Sequence, residues 1–328
     1  MEYIKLGKSG LDVSKLCLGC MSFGDSSTGW LHDKWVLNQE DTNDIIKTAL
    51  KLGINFFDTA NIYSNGTSEE YIGKALKNYS NRDRVVIATK VFGRMHTGPN
   101  GQGLSRKHIL AECEKSLKRL QTDYIDLYII HRYDYETPIE ETLSALTSLV
   151  RDGKVRYIGA SSMFAWQFLQ MIHSSEKHNF EKFISMQNHY NLIYREEERE
   201  MLPLCENIGV GVTPYSPLAA GRLSRNITDI TNRKSNDTTV SGKYDNTLDI
   251  DTPIIERVHK IANNHGTTAT QIALSWLLSK KSVNSPIIGT TKTEQLSDAI
   301  KAVKLKLSKD EIQYLEEKYK PHEVVGVR

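Results

Sequence analysis

Val85-Val86-Ile87-Ala88-Thr89-Lys90 and Leu127-Tyr128-Ile129-Ile130-His131 decide the fold. Each is a short apolar run, rich in β-branched residues, closed by one titratable side chain. A strand with a wet face alternates apolar and polar residues. These do not, so they read as strands buried on both faces of a parallel sheet. Six further runs share this character: 15–18, 55–58, 155–160, 184–187, 210–213 and 286–288. With 85–89 and 125–130 they make eight. Helical patterns lie between them at 41–52, 105–120, 139–150, 164–178, 195–207, 268–278 and 293–302. In 105–120, Ser105 is a capping residue and Ile109, Leu110, Cys113, Leu117 and Leu120 fall at helical spacing. Strands alternating with helices imply a parallel sheet, and eight strands favour a closed (β/α)₈ TIM barrel spanning residues 1–328 as one domain. Gly7-Lys8-Ser9-Gly10, between 3–6 and 11–13, predicts an N-terminal β-hairpin. Residues 309–319 predict an extra C-terminal helix.

The chain has 328 residues, with 42 Lys+Arg against 40 Asp+Glu, interspersed. No basic face suggests nucleic acid. No apolar run is long enough to span a membrane, and Met1-Glu2-Tyr3-Ile4-Lys5 lacks a signal-peptide core. A cytoplasmic protein is expected. Cys17-Leu18-Gly19-Cys20 has no second ligand pair for zinc and ends a strand rather than opening a helix. It is read as a strand cysteine and a loop cysteine in a reducing compartment. Asn65-Gly66-Thr67 is read as a turn. No G-x-G-x-x-G joins a strand to a helix, which disfavours a Rossmann dehydrogenase, and no cluster has metal-ligand spacing.

Three segments exceed what a minimal barrel needs: 22–39, 92–103 and 219–251. All follow strand C-terminal ends, where lids and specificity loops occur. Segment 219–251 is expected to be a lid. Trp30, Trp35, Tyr133 and Phe92 are candidate pocket walls, and the tail 321–328 is a candidate cover for the barrel mouth.

Asp58, Tyr63, Lys90 and His131 sit at or just beyond strand ends. In a parallel barrel such positions converge on one face. A phenol with a pKa near 10 exchanges protons poorly at neutral pH, and a neighbouring ammonium favours its phenolate. A carboxylate keeps that ammonium charged, and an imidazole can hold a substrate oxygen. The set suits adding a proton to an oxygen while a hydride reaches the adjoining carbon.

The run Phe57-Asp58-Thr59-Ala60-Asn61-Ile62-Tyr63, then Thr89-Lys90, then Ile130-His131, resembles the tetrad of the aldo-keto reductase family. The resemblance extends to Leu6-Gly7-Lys8-Ser9-Gly10-Leu11, Leu18-Gly19, Gly159-Ala160-Ser161-Ser162, Tyr215-Ser216-Pro217-Leu218-Ala219 and Gly289-Thr290-Thr291-Lys292. Through the run 190–200 and the Pro321-His322 ending, it is most like bacterial members of the YajO type. The resemblance implies NADPH and a small-molecule carbonyl substrate, with Tyr63 as proton donor, Lys90 and Asp58 tuning it, and His131 orienting the carbonyl. It implies Ser161, Ser162 and Gln187 at the nicotinamide amide, with Tyr215 stacked on the ring. Gly19, Ser216, Pro217, Leu218, Gly221 and Arg225, with Arg222 nearby, belong to the same implied site, the pyrophosphate lying along Ser216, Leu218 and Gly221. Gly289, Thr291, Lys292, Gln295 and Asp298 are implied at the 2′-phosphate and adenine end. Asp298 replaces an expected Glu, and Ala299 an Asn. Two alternatives stay open. One is formation of 1-deoxyxylulose 5-phosphate from a pentose phosphate, with Arg94, Arg132 and Arg195 as phosphate partners. The other is an NADPH-binding regulatory subunit, against which His131 argues.

Overall fold

The computed structural model describes residues 1–28, 35–225 and 243–327. Trp30 and most of the expected lid, residues 226–242, lie outside them. An antiparallel hairpin, β1 (Tyr3–Lys5) and β2 (Asp12–Ser14), precedes an eight-stranded parallel sheet. Its strands are β3 (Cys17–Gly19), β4 (Phe56–Asp58), β5 (Val86–Val91), β6 (Ile125–Ile130), β7 (Val155–Ser161), β8 (Phe183–Gln187), β9 (Gly211–Val212) and β10 (Ile287–Gly289). The order β10-β3-β4-β5-β6-β7-β8-β9 follows the chain apart from β10, which pairs with β3. The ring closes through the segment entering β10. Asn284 N–H donates to Val212 O at 2.9 Å, and Ile287 N–H to Pro214 O at 2.9 Å.

The helices are α1 (Gln39–Lys51), α2 (Thr67–Tyr79), α3 (Arg106–Leu120), α4 (Ile139–Arg151), α5 (Ala165–His178), α6 (Met201–Ile208), α7 (Leu248–Asn264), α8 (Ala269–Leu278), α9 (Thr293–Ala299) and α10 (Lys309–Glu316). Their starts follow capping chemistry. Asn38 accepts from Glu40 and Asp41 N–H, Ser105 from His108 N–H, and Ser308 shares a capping box with Glu311.

Two apolar layers result. Alternate strand residues point inward, where Cys17, Phe56, Val86, Ala88, Leu127, Ile129 and Ile287 pack with Leu6 and Val13 of the hairpin. The hairpin thus plugs one end of the barrel. Its Lys8 N–H reaches Gly209 O at 2.8 Å, and Gly7, at φ +59°, lies against the Gly209–Gly211 backbone with no room for a Cβ. The second layer, Leu18, Phe57, Ile87, Tyr128 and Ile130 among others, packs against the helices.

All eight strands lie where expected to within two residues; four helical readings need correction. Helix α2 was not anticipated, because Gly73 in its middle weakens the local signal. That glycine is where the α3 C-terminus packs, its missing Cβ facing the Leu120 backbone. Helix α7 was likewise not anticipated; it begins at Leu248, inside the expected loop 219–251, and runs to Asn264. The expected helix 195–207 is a 3₁₀ turn, Glu196–Glu198, followed by α6, and 293–302 ends in a 3₁₀ turn, Ile300–Val303. Within that turn Glu196 accepts from Tyr319 Oη (2.6 Å) and His322 N–H (2.9 Å).

Candidate active site

Inward-facing positions continue along each strand until they emerge at its C-terminal end, and there the apolar lining turns polar. On β5 the sequence Val86, Ala88, Lys90 ends in an ammonium. On β4 Phe56 is followed by Asp58. Lys90 Nζ donates to Asp58 Oδ1 at 2.5 Å, to Thr59 O at 2.7 Å and to Tyr63 Oη at 3.3 Å. Asp58 Oδ2 accepts from Gln187 Nε2 at 2.9 Å, so β4, β5 and β8 are joined across the barrel mouth. The His131 ring stands edge-on to Tyr63, with centroids 5.8 Å apart. The four residues proposed from strand ends therefore converge.

Electrostatics refine one expectation. Burial raises the Tyr63 pKa, and the Lys90 ammonium offsets only part of that, so the phenol stays protonated rather than easily ionised. Burial by itself would lower the Lys90 pKa; the neighbouring Asp58 and Tyr63 outweigh it and hold the ammonium charged. Burial, reinforced by Lys90 and Arg132, pushes the His131 pKa well below its ordinary value, leaving a neutral imidazole. Cys17 and Cys20 are buried and unpaired, and burial pushes both thiols well up.

Beside this group lie the other expected site residues. Gly19 pairs in register with Asp58 on one side and Gly289 on the other. Ser161 Oγ donates to Gln187 O at 2.8 Å and lies 3.1 Å from Ser162 Oγ. Ser162, at φ +53°, gives its N–H to Asn188 Oδ1 at 2.7 Å. Tyr215 stacks on His189 with centroids 5.4 Å apart, and its buried hydroxyl has no hydrogen-bond partner among the described residues. The backbone then takes left-handed conformations at Ser216, Ala219, Ala220 and Gly221, around buried Pro217 and half-buried Leu218. Non-glycine residues held this way are costly and cluster at ligand sites. The Arg225 guanidinium packs on Gly221, while Arg222 is ion-paired to Asp245.

At the far end Gly289, Thr291 and Lys292 are exposed. Gln295 Oε1 accepts from Thr290 Oγ1 (2.9 Å) and Thr291 N–H (3.4 Å). Asp298 is engaged elsewhere, accepting from Thr268 Oγ1 at 2.7 Å and Gln271 Nε2 at 2.5 Å, so it braces α8. Arg195 is held by Glu198 (2.7 Å) and Glu316 (3.3 Å). Of the candidate walls, Tyr133 packs edge-on to Tyr135 and near Trp166, Phe92 lies against the outer core layer, and Trp35 is buried.

The tail folds back onto the segments that follow β8 and β9. Val325 N–H donates to Tyr194 Oη at 3.2 Å, His322 Nε2 lies 2.9 Å from Asp251 Oδ1, and Gly326 sits against the Tyr215 hydroxyl.

A profile of the aldo/keto reductase family matches residues 15–320. The chain belongs to the aldo/keto reductase family. It is 45% identical to the versiconal hemiacetal acetate reductase of Aspergillus parasiticus, over 98% of each chain. It is 43% identical to the aldo-keto reductase dtxS3 of Metarhizium robertsii, over 99% of this chain and 93% of that one. This reductase is thus an oxidoreductase of a family that generally uses nicotinamide cofactors. Among its described residues, no helix is long and apolar enough to cross a membrane. Sequence reading missed Asn188, which receives the Ser162 N–H and donates to Glu197 Oε2 at 2.6 Å. The polar run Gln187-Asn188-His189 directly after an apolar strand was the available signal. Burial lifts the Glu197 carboxyl to about 7.

Proposed function

We propose that this reductase converts aldehydes or ketones to alcohols with NADPH, Tyr63 protonating the carbonyl oxygen. The observation that carries the reading is the buried Lys90 ammonium, 3.3 Å from the Tyr63 oxygen and braced by Asp58. The reduced cofactor, when bound, supplies a hydride to the carbonyl carbon. Burial keeps Tyr63 protonated until a substrate oxygen gathers negative charge. As the phenolic proton leaves, Lys90 stabilises the phenolate left behind. The neutral His131 can donate one hydrogen bond to the same oxygen and fix its direction.

The chain fits a nicotinamide dinucleotide. Among the described residues the buried Tyr215 hydroxyl has no hydrogen-bond partner, and the left-handed residues Ser216, Ala219, Ala220 and Gly221 turn backbone groups within one short stretch, as anion-binding nests do. Ser161, Ser162 and Gln187 would meet the carboxamide. With the Gln187 amino group bound to Asp58, its contact would run through its oxygen. Arg225 and the exposed Lys292 would meet the phosphates. The YajO likeness and pentose-phosphate chemistry draw no support from the fungal relatives. Arg195 is already committed to Glu198 and Glu316.

The test is the loss of NADPH near-ultraviolet absorbance with nitrobenzaldehyde, comparing wild type with Tyr63→Phe and NADPH with NADH. Turnover with NADPH that disappears in Tyr63→Phe is expected. Full activity in Tyr63→Phe would overturn the reading.

A further inference from the structure

A second cluster of charges lies behind the tetrad, on the helix side of the sheet. Glu69 of α2 and Glu112 of α3 are buried, with the Arg119 side chain beside them. Arg119 Nε donates to Glu69 Oε2 at 2.6 Å, and its guanidinium lies 3.9 Å from Glu112 Oε2. Three threads run from this cluster into the segment that carries the catalytic groups. Thr89, adjacent to Lys90 but facing the opposite side of β5, donates its hydroxyl to Glu69 Oε1 at 2.5 Å. Asn61 donates its side chain to Glu112 Oε2 at 3.1 Å and its backbone N–H to Lys90 O at 3.2 Å. Gly66, which ends the Tyr63 turn at φ +95°, packs directly on the Arg119 side chain. Thr59, whose carbonyl receives Lys90 Nζ, is tied by its hydroxyl to Ser68 on the same helix, at 2.9 Å.

We infer that Glu69, Arg119 and Glu112 form a positioning cluster for Tyr63 and Lys90, with Thr89 and Asn61 as its links. The segment from Thr59 to Tyr63 belongs to neither strand nor α-helix; its backbone is tied to β5 through Thr59 and Asn61 N–H, which leaves the direction of the turn beyond Asn61 to side-chain contacts. The buried carboxylates supply fixed acceptors on both sides of it; Arg119 pairs with Glu69, Lys115 pairs with Glu112 at 2.8 Å, and Arg119 braces the end of the turn. Proton transfer is sensitive to misplacement of the donor by about 1 Å. An anchoring network outside the pocket therefore acts on the chemical step and leaves the cofactor surface untouched. This inference rests on Tyr63 being the proton donor.

The experiment compares Thr89→Val, Thr89→Ser, Glu69→Gln and Tyr63→Phe for kcat, KM and NADPH affinity, and for the isotope effect of deuterated NADPH on kcat. Thr89→Val keeps the side-chain shape and leaves the Glu69–Arg119 pair in place, so it folds even if Glu69→Gln does not. Thr89→Val is expected to lower kcat about ten-fold with unchanged NADPH affinity and a larger isotope effect, while Thr89→Ser stays within about two-fold of wild type. A folded Thr89→Val with wild-type kcat and isotope effect, beside an inactive Tyr63→Phe, would overturn the positioning role. A lower melting temperature with kcat unchanged would overturn it equally, by showing a role in stability alone. An active Tyr63→Phe would instead remove the proton-donor reading on which the inference rests.

Discussion

The two halves of the barrel mouth are built differently. On the β4–β6 side the polar groups are held by side chains. Asp58 and Lys90 are buried and directly bonded, and the barrel wall beneath them is bulky, with Phe56, Val86, Leu127 and Ile129. On the β7–β10 side glycines let the chain pack closely between larger inner residues such as Tyr157, Ile184 and Ile287: Gly159 lies against the Ser185 hydroxyl, and Gly211 against the Gly7 backbone. Strand β9 has two residues and β10 three, against six in β5 and six in β6. The backbone there takes left-handed conformations at Ser162, Ser216, Ala219, Ala220 and Gly221. The lesson is a division of labour. A proton donor needs one side chain fixed to a fraction of an ångström, whereas a long dinucleotide needs a surface cleared of side chains with backbone groups turned toward it.

Substitutions on the two sides should therefore fail differently. Tyr63→Phe should lower kcat on the order of 10³-fold with NADPH affinity intact, read by steady-state kinetics and fluorescence titration. Lys90→Met should also abolish turnover, and it should cost about 3–5 kcal/mol in urea unfolding because the Asp58 carboxylate is left buried without its cation. Across the mouth, Gly221→Val meets a backbone at φ +100° and the packed Arg225 side chain. It should weaken NADPH binding about ten-fold, alongside about 1–3 kcal/mol of strain, with kcat at saturating cofactor little changed. Equal loss of kcat from both sides would break the comparison.

Two pH effects are smaller. The Tyr63 pKa is raised and the His131 pKa lowered, so neither group changes charge near neutrality. The kcat for reduction should be flat there and fall only as the phenol loses its proton, above about pH 10. His322 responds differently. Burial by itself would lower its pKa, but its contact with Asp251 outweighs that and raises it above 6.5. Its contribution to stability is thus full below pH 6.5 and lost as pH rises through the raised folded value. The gap in melting temperature between wild type and His322→Gln should be widest in mild acid and narrow toward alkaline pH.

The strands and the tetrad were legible because their signals are local. An apolar β-branched run closed by a titratable residue marks both a buried strand and its functional end, so Asp58, Lys90 and His131 stood out in one dimension. The sequence by itself thus determined the barrel, the hairpin and the four residues proposed for catalysis. Only the tertiary structure decided the partnerships between distant elements. It placed Gln187 on Asp58, Asn188 on Ser162 and Glu69 on Thr89, and it turned Asp298 toward α8. It also reversed the expected net direction of the Tyr63 pKa, because burial is a property of the whole packed molecule. Helix α2 shows the same limit: its glycine weakens the local signal, yet the close approach of α3 requires it. Periodicity records which face of an element is buried, but what that face meets depends on how eight strands and their helices close around one another.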